Sequence, residues 1–250
     1  MSHDVKLIFL LVVVAVALAG GWPLYRRRGE MAEAGWLVLA EALACGVFLG
    51  AGLIHMLGDA AADFEAAGIS YPVEMVICGG VILLLLYLEH AGNKLAARQS
   101  GAGTVLPLLT TLMLSIHSFL VGAALGTSNE MAIAIVIFLA VIAHKSAAAF
   151  ALAIELLRSP LGSLAALACF FGFVAMFPAG FAVGTLAEAV TGEHPLWEPT
   201  FSALAAGTFL FLGTLHGLAA NTLIARCQNR LDFAFVTLGF ALMAVVAIWT

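Results

Sequence analysis

The sequence predicts an all-α integral membrane protein: a single domain over residues 1–250 that forms a bundle of eight transmembrane helices, with both termini outside. Hydrophobic residues make up 63% of the chain and charged residues only 10%, proportions far from those of soluble domains. Apolar segments of about twenty residues, the length at which a helix crosses the hydrocarbon core, recur along the whole chain. They are continuous and lack the alternating pattern of membrane strands, so helices are favoured over a barrel.

Each predicted helix ends where polar residues, glycine or proline interrupt the apolar pattern. The first seven segments are followed in turn by "WPLYRRRGE", "AAGISYP", "ARQSGAGT", "GTSNE", "RSPLGS", "TGEHPLWEP" and "ARCQNRLD", and the eighth runs to the carboxyl terminus. None of these breaks is long enough to fold alone. The predicted helices span 6–24, 35–62, 71–93, 104–127, 130–157, 161–190, 198–224 and 231–250.

The basic residues predict the orientation, because cytoplasmic loops retain Lys and Arg. Eight of the ten follow odd-numbered helices and therefore share one side: Arg26, Arg27, Arg28, Lys94, Arg98, Arg158, Arg226 and Arg230. This predicts both termini outside. A cleaved signal peptide is the alternative for the first segment, since "VALAGG" supplies small residues for cleavage. The positive cluster after the apolar segment favours a retained helix.

The informative ionisable residues are those at membrane depth, where a charged form costs about 2.5–3.5 kcal/mol on insertion scales. His117 lies near the centre of helix four, His144 and Lys145 near the centre of helix five, and His216 in helix seven. Neutral imidazole is a common ligand of zinc and other late transition metals. One such histidine alone is better explained by packing, but three on three helices favour a metal site.

Four motifs, in chain order, resemble those of the ZIP (Zrt/Irt-like) metal transporters. "GVFLGAGLIHMLGDA" resembles the Gly-rich second helix of that family, and "HSFLVGAALG" resembles its helix-four signature His-Ser-x-x-Glu-Gly-x-x-x-Gly. "HKSAAAFALAIELLRS" resembles the His-Lys form of helix five, and "AAGTFLFLGTLHGLA" resembles Ala-Gly-Thr-Phe-Leu-Tyr-Val-x-x-x-Glu of helix seven. The resemblance covers nearly the whole chain.

This resemblance implies a permease that moves a divalent transition metal, zinc first, into the cytosol. The metal is the substrate, and no organic cofactor is implied. The resemblance also suggests a homodimer in the lipid bilayer of the plasma (inner) membrane, with helices one, four, five and six as the moving unit. The implied metal-site residues are His117, Ser118, His144 and His216, and the implied outer entrance is formed by His55 and Asp59.

The sequence departs from the family pattern at metal-site positions where the family usually has negatively charged ligands. Val121 stands where helix four usually has a carboxylate, His216 replaces the helix-seven glutamate, and Ala148 offers no ligand one turn beyond His144. Lys145 occupies the second-metal position, so one metal is expected. A neutral imidazole site beside an ammonium disfavours Mg²⁺ and Ca²⁺, which prefer carboxylate oxygens, and leaves zinc or its neighbours.

Two other functions remain open at the level of sequence. The first is a ZIP-fold membrane protein that binds metal but transports it poorly or acts as a sensor. The second and more remote is an intramembrane hydrolase. Ser118 follows His117 directly, so on a helix their side chains point about 100° apart, and the sequence contains no His-Glu-x-x-His motif. We therefore predict no enzyme activity, and nothing in the composition implies a nucleic-acid partner.

Overall fold

The computed structural model describes residues 3–26, 36–98, 102–128, 131–191, 196–215 and 230–248. Within these residues the chain forms eight helices, which we number in chain order. They are α1 (His3–Arg26), α2 (Trp36–Ala66), α3 (Val73–Arg98), α4 (Ala102–Thr127), α5 (Met131–Arg158), α6 (Ser163–Thr191), α7 (Trp197–Thr214) and α8 (Arg230–Val246).

The predicted all-α membrane fold is confirmed. Five of the described helices have stretches long and apolar enough to cross a membrane, and α1 contains a shorter apolar stretch, Val5–Gly21. Those five stretches are Trp36–Ala66, Val73–Lys94, Pro107–Thr127, Phe138–Arg158 and Ser163–Val190. The predicted seventh helix, 198–224, is described only as far as Leu215, so His216 lies outside the described residues.

Helix α2 changes its hydrogen-bonding pattern in the middle. It is α-helical over Trp36–Gly50, π-helical over Ala51–Met56 and α-helical again over Leu57–Ala66. Single π-helical turns inside α-helices are frequent at functional sites, and this one contains His55. The helix ends in a Schellman motif, in which Gly68 adopts a φ of 83° and Ile69 N donates to Phe64 O over 2.9 Å, an arrangement that glycine permits without strain.

The helices pack in two groups. Helices α1, α4, α5 and α6 contact one another extensively, with α4 against α6 and α1 against α5 as the main pairs. Helices α2, α3, α7 and α8 form the second group, with α2 against α8 and α3 against α7 as the main pairs. The groups meet chiefly where α4 packs on α7 and α3, and where α2 packs on α5.

The main pairs are held together by glycines that let two helix backbones touch. A side chain at Gly122 or Gly126 of α4 would collide with the backbone of α6, and one at Gly180 or Gly184 of α6 would collide with the backbone of α4. Such close approach is a general means of helix association in lipid, where dispersion contacts replace the hydrophobic effect. Reciprocal glycines therefore make α4 and α6 a tightly packed unit.

We expect Gly180→Ala to destabilise the protein by about 1–3 kcal/mol, because the added methyl would overlap the carbonyl oxygen of Phe119. Gly172 lies on the same helix with no atom within 4 Å of an added methyl, so Gly172→Ala is the matched control and should leave stability unchanged or slightly raised. Thermal unfolding in detergent measures both. Equal unfolding temperatures for the two variants would show that the helices are not in backbone contact.

Polar contacts join the helices at both ends of the bundle. At the end that carries the amino terminus, Lys6 Nζ of α1 donates to Gly126 O of α4 over 3.1 Å and lies 3.6 Å from Glu188 of α6. At the opposite end, Arg158 of α5 pairs with Glu41 of α2. The first set of contacts stays within one helix group, whereas the second links the two groups.

Candidate metal centre

His117 lies in the middle of α4 and is held against α7. Its side chain is buried, and its Nδ1 is 2.9 Å from Thr208 Oγ1 and 3.2 Å from Ala205 O. Its ring stacks on Phe209, with the ring centroids 3.5 Å apart and the planes inclined by 18°. One edge of the imidazole is thus hydrogen-bonded and one face is covered, which fixes the ring's orientation.

His144 of α5 lies beside His117. The two ring centroids are 5.7 Å apart with the planes at 72°, and the His144 ring meets Phe209 edge to face at 4.9 Å. Within the described part of the chain, neither His117 Nε2 nor His144 Nδ1 forms a hydrogen bond, although both atoms are buried. Buried polar atoms are nearly always satisfied, so two orphan nitrogens on adjacent rings indicate a site for a ligand.

The spacing of the two rings suits a shared metal ion. A tetrahedral zinc bound by two imidazole nitrogens at about 2.0–2.1 Å holds the ring centroids roughly 5–6 Å apart, which matches the observed 5.7 Å. Within the described residues no group of three or more His, Cys, Asp or Glu side chains could hold a metal. The candidate ligands among the described residues are therefore two histidines, and a metal there would need water or another donor to complete its coordination.

Lys145 and Ser118 form a polar pair next to these histidines. Lys145 Nζ donates to Ser118 Oγ over 2.5 Å and lies over the rings of Phe173 and Phe177 of α6, at 4.4 and 5.2 Å from their centroids. Ser118 Oγ in turn donates to Phe173 O over 3.4 Å. The hydroxyl predicted to be a metal ligand is thus hydrogen-bonded to the ammonium predicted to occupy the second-metal position.

A cavity of about 30 Å³ extends from His144 toward the amino-terminal end of the bundle. This is enough space for about one or two water molecules. Val121 and His55 contribute to its wall, and His55 Nδ1 lies 2.6 Å from Asp59 Oδ2. The side chain of Asp59 is 41% exposed, so the cavity runs from a buried histidine to the protein surface.

Acidic side chains gather where this cavity meets the surface. Asp59 and Asp63 come from the last turns of α2, and Glu198 comes from the first turn of α7. A carboxylate-lined mouth with low-dielectric walls concentrates cations. The sequence-predicted entrance residues His55 and Asp59 therefore lie on one cavity with His144.

The structure brings together His117, His144, Ser118 and Lys145, while His216 lies outside the described residues. Sequence reasoning missed Thr208 and Phe209, which contact His117 directly. Both lie in "AAGTFLFLGTLHGLA", the quoted helix-seven motif. The Thr208 hydroxyl within that apolar segment was the one sequence signal that could have pointed to this contact.

Comparison with known proteins decides the family. The sequence profile of the family described as ZIP zinc transporter matches residues 88–247. The chain belongs to the ZIP zinc transporter family. The matched region contains the candidate metal-site residues on α4, α5 and α7, and lies within a multi-pass integral membrane protein.

Curated relatives extend this similarity over nearly the whole chain. The chain is 27% identical to zinc transporter ZIP2 of Mus musculus, covering 98% of both proteins. It is 27% identical to zinc transporter ZIP1 of Bos taurus over 97% of this chain and 90% of that protein. Zinc transporter 11 of Arabidopsis thaliana is 29% identical over 98% of this chain and 85% of its own length.

Proposed function

We propose that this ZIP-family protein is a permease that carries a divalent transition metal, zinc first, toward the cytosol through a site formed by His117 and His144. The observation that carries the proposal is the pair of buried imidazole nitrogens without hydrogen bonds in the described structure, on rings 5.7 Å apart. Similarity to zinc transporters ZIP1 and ZIP2 supports zinc as the metal. We assign the protein no catalytic role.

The chemistry of the site favours late transition metals. Imidazole nitrogen binds zinc well, whereas Mg²⁺ and Ca²⁺ prefer carboxylate oxygens. Val121 faces the cavity where a carboxylate would attract harder ions, and the Lys145 ammonium lies one residue beyond His144 and adds repulsion. We infer selection for zinc over alkaline-earth ions.

The proposed route begins at the acidic mouth. Asp59, Asp63 and Glu198 would concentrate the metal, and His55 would receive it on the way to His144, since all five side chains line one cavity. At the opposite end, the Arg158–Glu41 ion pair bridges the two helix groups. We infer that release on that side involves movement of one group against the other, which would separate this pair.

Uptake by reconstituted vesicles tests the proposed function. Purified protein would be inserted into vesicles that contain a metal-sensitive dye, and uptake of Zn²⁺, Mn²⁺, Mg²⁺ and Ca²⁺ would be compared with that of empty vesicles. We expect saturable zinc uptake and no uptake of Mg²⁺ or Ca²⁺. Zinc flux equal to that of empty vesicles, with the protein folded, would contradict a permease.

A metal-binding protein without transport is the second candidate, and one observation favours it. Only two metal-ligating side chains meet at the centre of the described structure, and the buried ammonium of Lys145 lies nearby. Zinc binding in solution combined with no flux in the vesicle assay would select this function. Zinc binding and flux together would exclude it.

The remaining sequence predictions complete the proposal. Residues 1–250 would act as one domain, in the plasma (inner) membrane, with both termini outside and with the acidic mouth on the same side. A homodimer is proposed from the family resemblance. Crosslinking in native membranes and the accessibility of terminal tags to added protease measure the subunit number and the orientation, respectively.

We retain His216 as a proposed third ligand. Its motif position is one where the family places a carboxylate, so His216→Glu should raise Mn²⁺ binding relative to Zn²⁺, because a carboxylate adds charge and a hard oxygen. Zinc binding by this variant should also depend less on pH than that of the parent, because an imidazole must be unprotonated to bind a metal whereas a carboxylate is already ionised. An unchanged Mn²⁺ to Zn²⁺ affinity ratio and pH profile in the variant would remove His216 from the site.

A further inference from the structure

Thr208 is a buried hydroxyl between His117 and the backbone of α7. Its Oγ1 donates to Ala205 O, one turn earlier in the same helix, over 2.6 Å. The same oxygen lies 2.9 Å from His117 Nδ1, and Nδ1 lies 3.2 Å from Ala205 O. Three polar atoms thus form a closed triangle in a part of the core that water does not reach, since both side chains are only 2% exposed.

The protons in this triangle can be assigned from donor and acceptor chemistry. Ala205 O accepts only, and a threonine hydroxyl carries one proton. Because Thr208 uses that proton for Ala205 O, its oxygen is left to accept from His117 Nδ1. If Nδ1 carried a lone pair instead, it would face the carbonyl oxygen lone pair across 3.2 Å, which is repulsive. Both neighbours therefore require the proton on Nδ1.

A neutral imidazole with its proton on Nδ1 has its lone pair on Nε2. Nε2 is the nitrogen of His117 that is buried and has no hydrogen bond in the described structure. Stacking of the ring on Phe209 limits rotation out of this plane. The lone pair is thus already on the nitrogen left open for a ligand before a metal arrives.

We propose that Thr208 is a positioning residue that holds His117 in its Nδ1–H tautomer and so presents the Nε2 lone pair to the metal. The proposal rests on the proposed function, because it takes His117 as a metal ligand. Partners of the second nitrogen of a ligating histidine generally fix its tautomer and orientation, and their loss costs about 10- to 100-fold in metal affinity. Thr208 reaches His117 from the other helix group, so it orients the ligand only while α4 and α7 are in contact.

Zinc affinity measured by calorimetry on the full-length protein in detergent tests this role. Thr208→Val keeps the shape of the side chain but removes the hydroxyl, and we expect zinc binding about tenfold weaker. The loss is limited because Ala205 O still accepts a hydrogen bond from His117 Nδ1. Thr208→Ser keeps the hydroxyl and should bind within about twofold of the parent. On a His117→Ala background, Thr208→Val should cause no further loss. Equal affinities for parent and Thr208→Val, or equal losses in the Val and Ser variants, would overturn the proposal.

A spectroscopic measurement on the unsubstituted protein tests the tautomer of His117 without any substitution at Thr208. With ¹⁵N-labelled histidine, the metal-free parent should show His117 with a protonated Nδ1 and an unprotonated Nε2, its signals identified by their loss in His117→Ala. A proton on Nε2 in the metal-free parent would overturn the assignment of Thr208. If His117→Ala binds zinc as the parent does, the proposed function fails. If that variant loses binding but Thr208→Val does not, only the role of Thr208 fails.

Discussion

Replacing His117 or His144 with alanine should weaken zinc binding by roughly 100-fold or more, because each change removes one of the two proposed imidazole ligands. The two rings are neighbours, at 5.7 Å, and each leaves a buried nitrogen without a hydrogen bond in the described structure. Calorimetry and metal analysis of the purified variants give affinity and stoichiometry. We expect both variants to fold, since alanine at these positions leaves the helix-forming pattern intact.

His90→Ala is the matched control for both variants. His90 is an exposed histidine in α3, outside the described centre, and its removal should leave zinc affinity unchanged. Full zinc binding in both His117→Ala and His144→Ala would exclude the proposed site. A loss in His90→Ala of the same size would show that the assay reports a general effect of removing histidines.

Replacing Lys145 with glutamate should raise the number of bound zinc ions from one to two. The Lys145 ammonium lies one residue from His144 and is buried against Ser118, Phe173 and Phe177. A carboxylate there would replace a repelling charge with an attracting one and supply a ligand oxygen. Because an unpaired buried carboxylate is costly, the stability of this variant should depend on zinc, so its unfolding temperature should rise more with added zinc than that of the parent.

Lys145→Met separates the removal of the ammonium from the gain of a ligand. Methionine has a similar length and no charge, so this variant should bind one zinc ion more tightly than the parent does. A Glu variant with a single zinc ion and unchanged affinity would show that the ammonium is not at the metal centre. The same metal count in the Glu and Met variants would show that the carboxylate does not coordinate.

The membrane fold was predictable because few backbone structures are stable in the hydrocarbon core of a bilayer. A backbone in hydrocarbon must satisfy its own hydrogen bonds, so each apolar segment of spanning length becomes a helix, and the polar breaks become the connections. The π-helical turn at Ala51–Met56 was not predictable from such a pattern. It lies where Gly50 packs against Met243 and Gly52 packs against Leu210, contacts that arise only when α2 meets α8 and α7.

The candidate metal centre was predictable in part. The sequence singles out His117 and His144 because an ionisable group at membrane depth is costly and therefore marks function. Thr208 and Phe209 were missed because a hydroxyl and an aromatic ring are inexpensive in a helix core. They matter because both lie on α7 and contact His117 of α4. Ser118 and His216 stay predictions as ligands. The Ser118 hydroxyl accepts a hydrogen bond from Lys145, and His216 lies outside the described residues.

We propose that a transported metal binds between His117 and His144. Anomalous scattering at the zinc edge, measured on crystals of the full-length protein grown with zinc, tests it most directly. We expect one peak about 2.0–2.1 Å from His117 Nε2 and within bonding distance of a His144 ring nitrogen. Zinc peaks found only elsewhere, with the space between the two rings empty at saturating zinc, would contradict it.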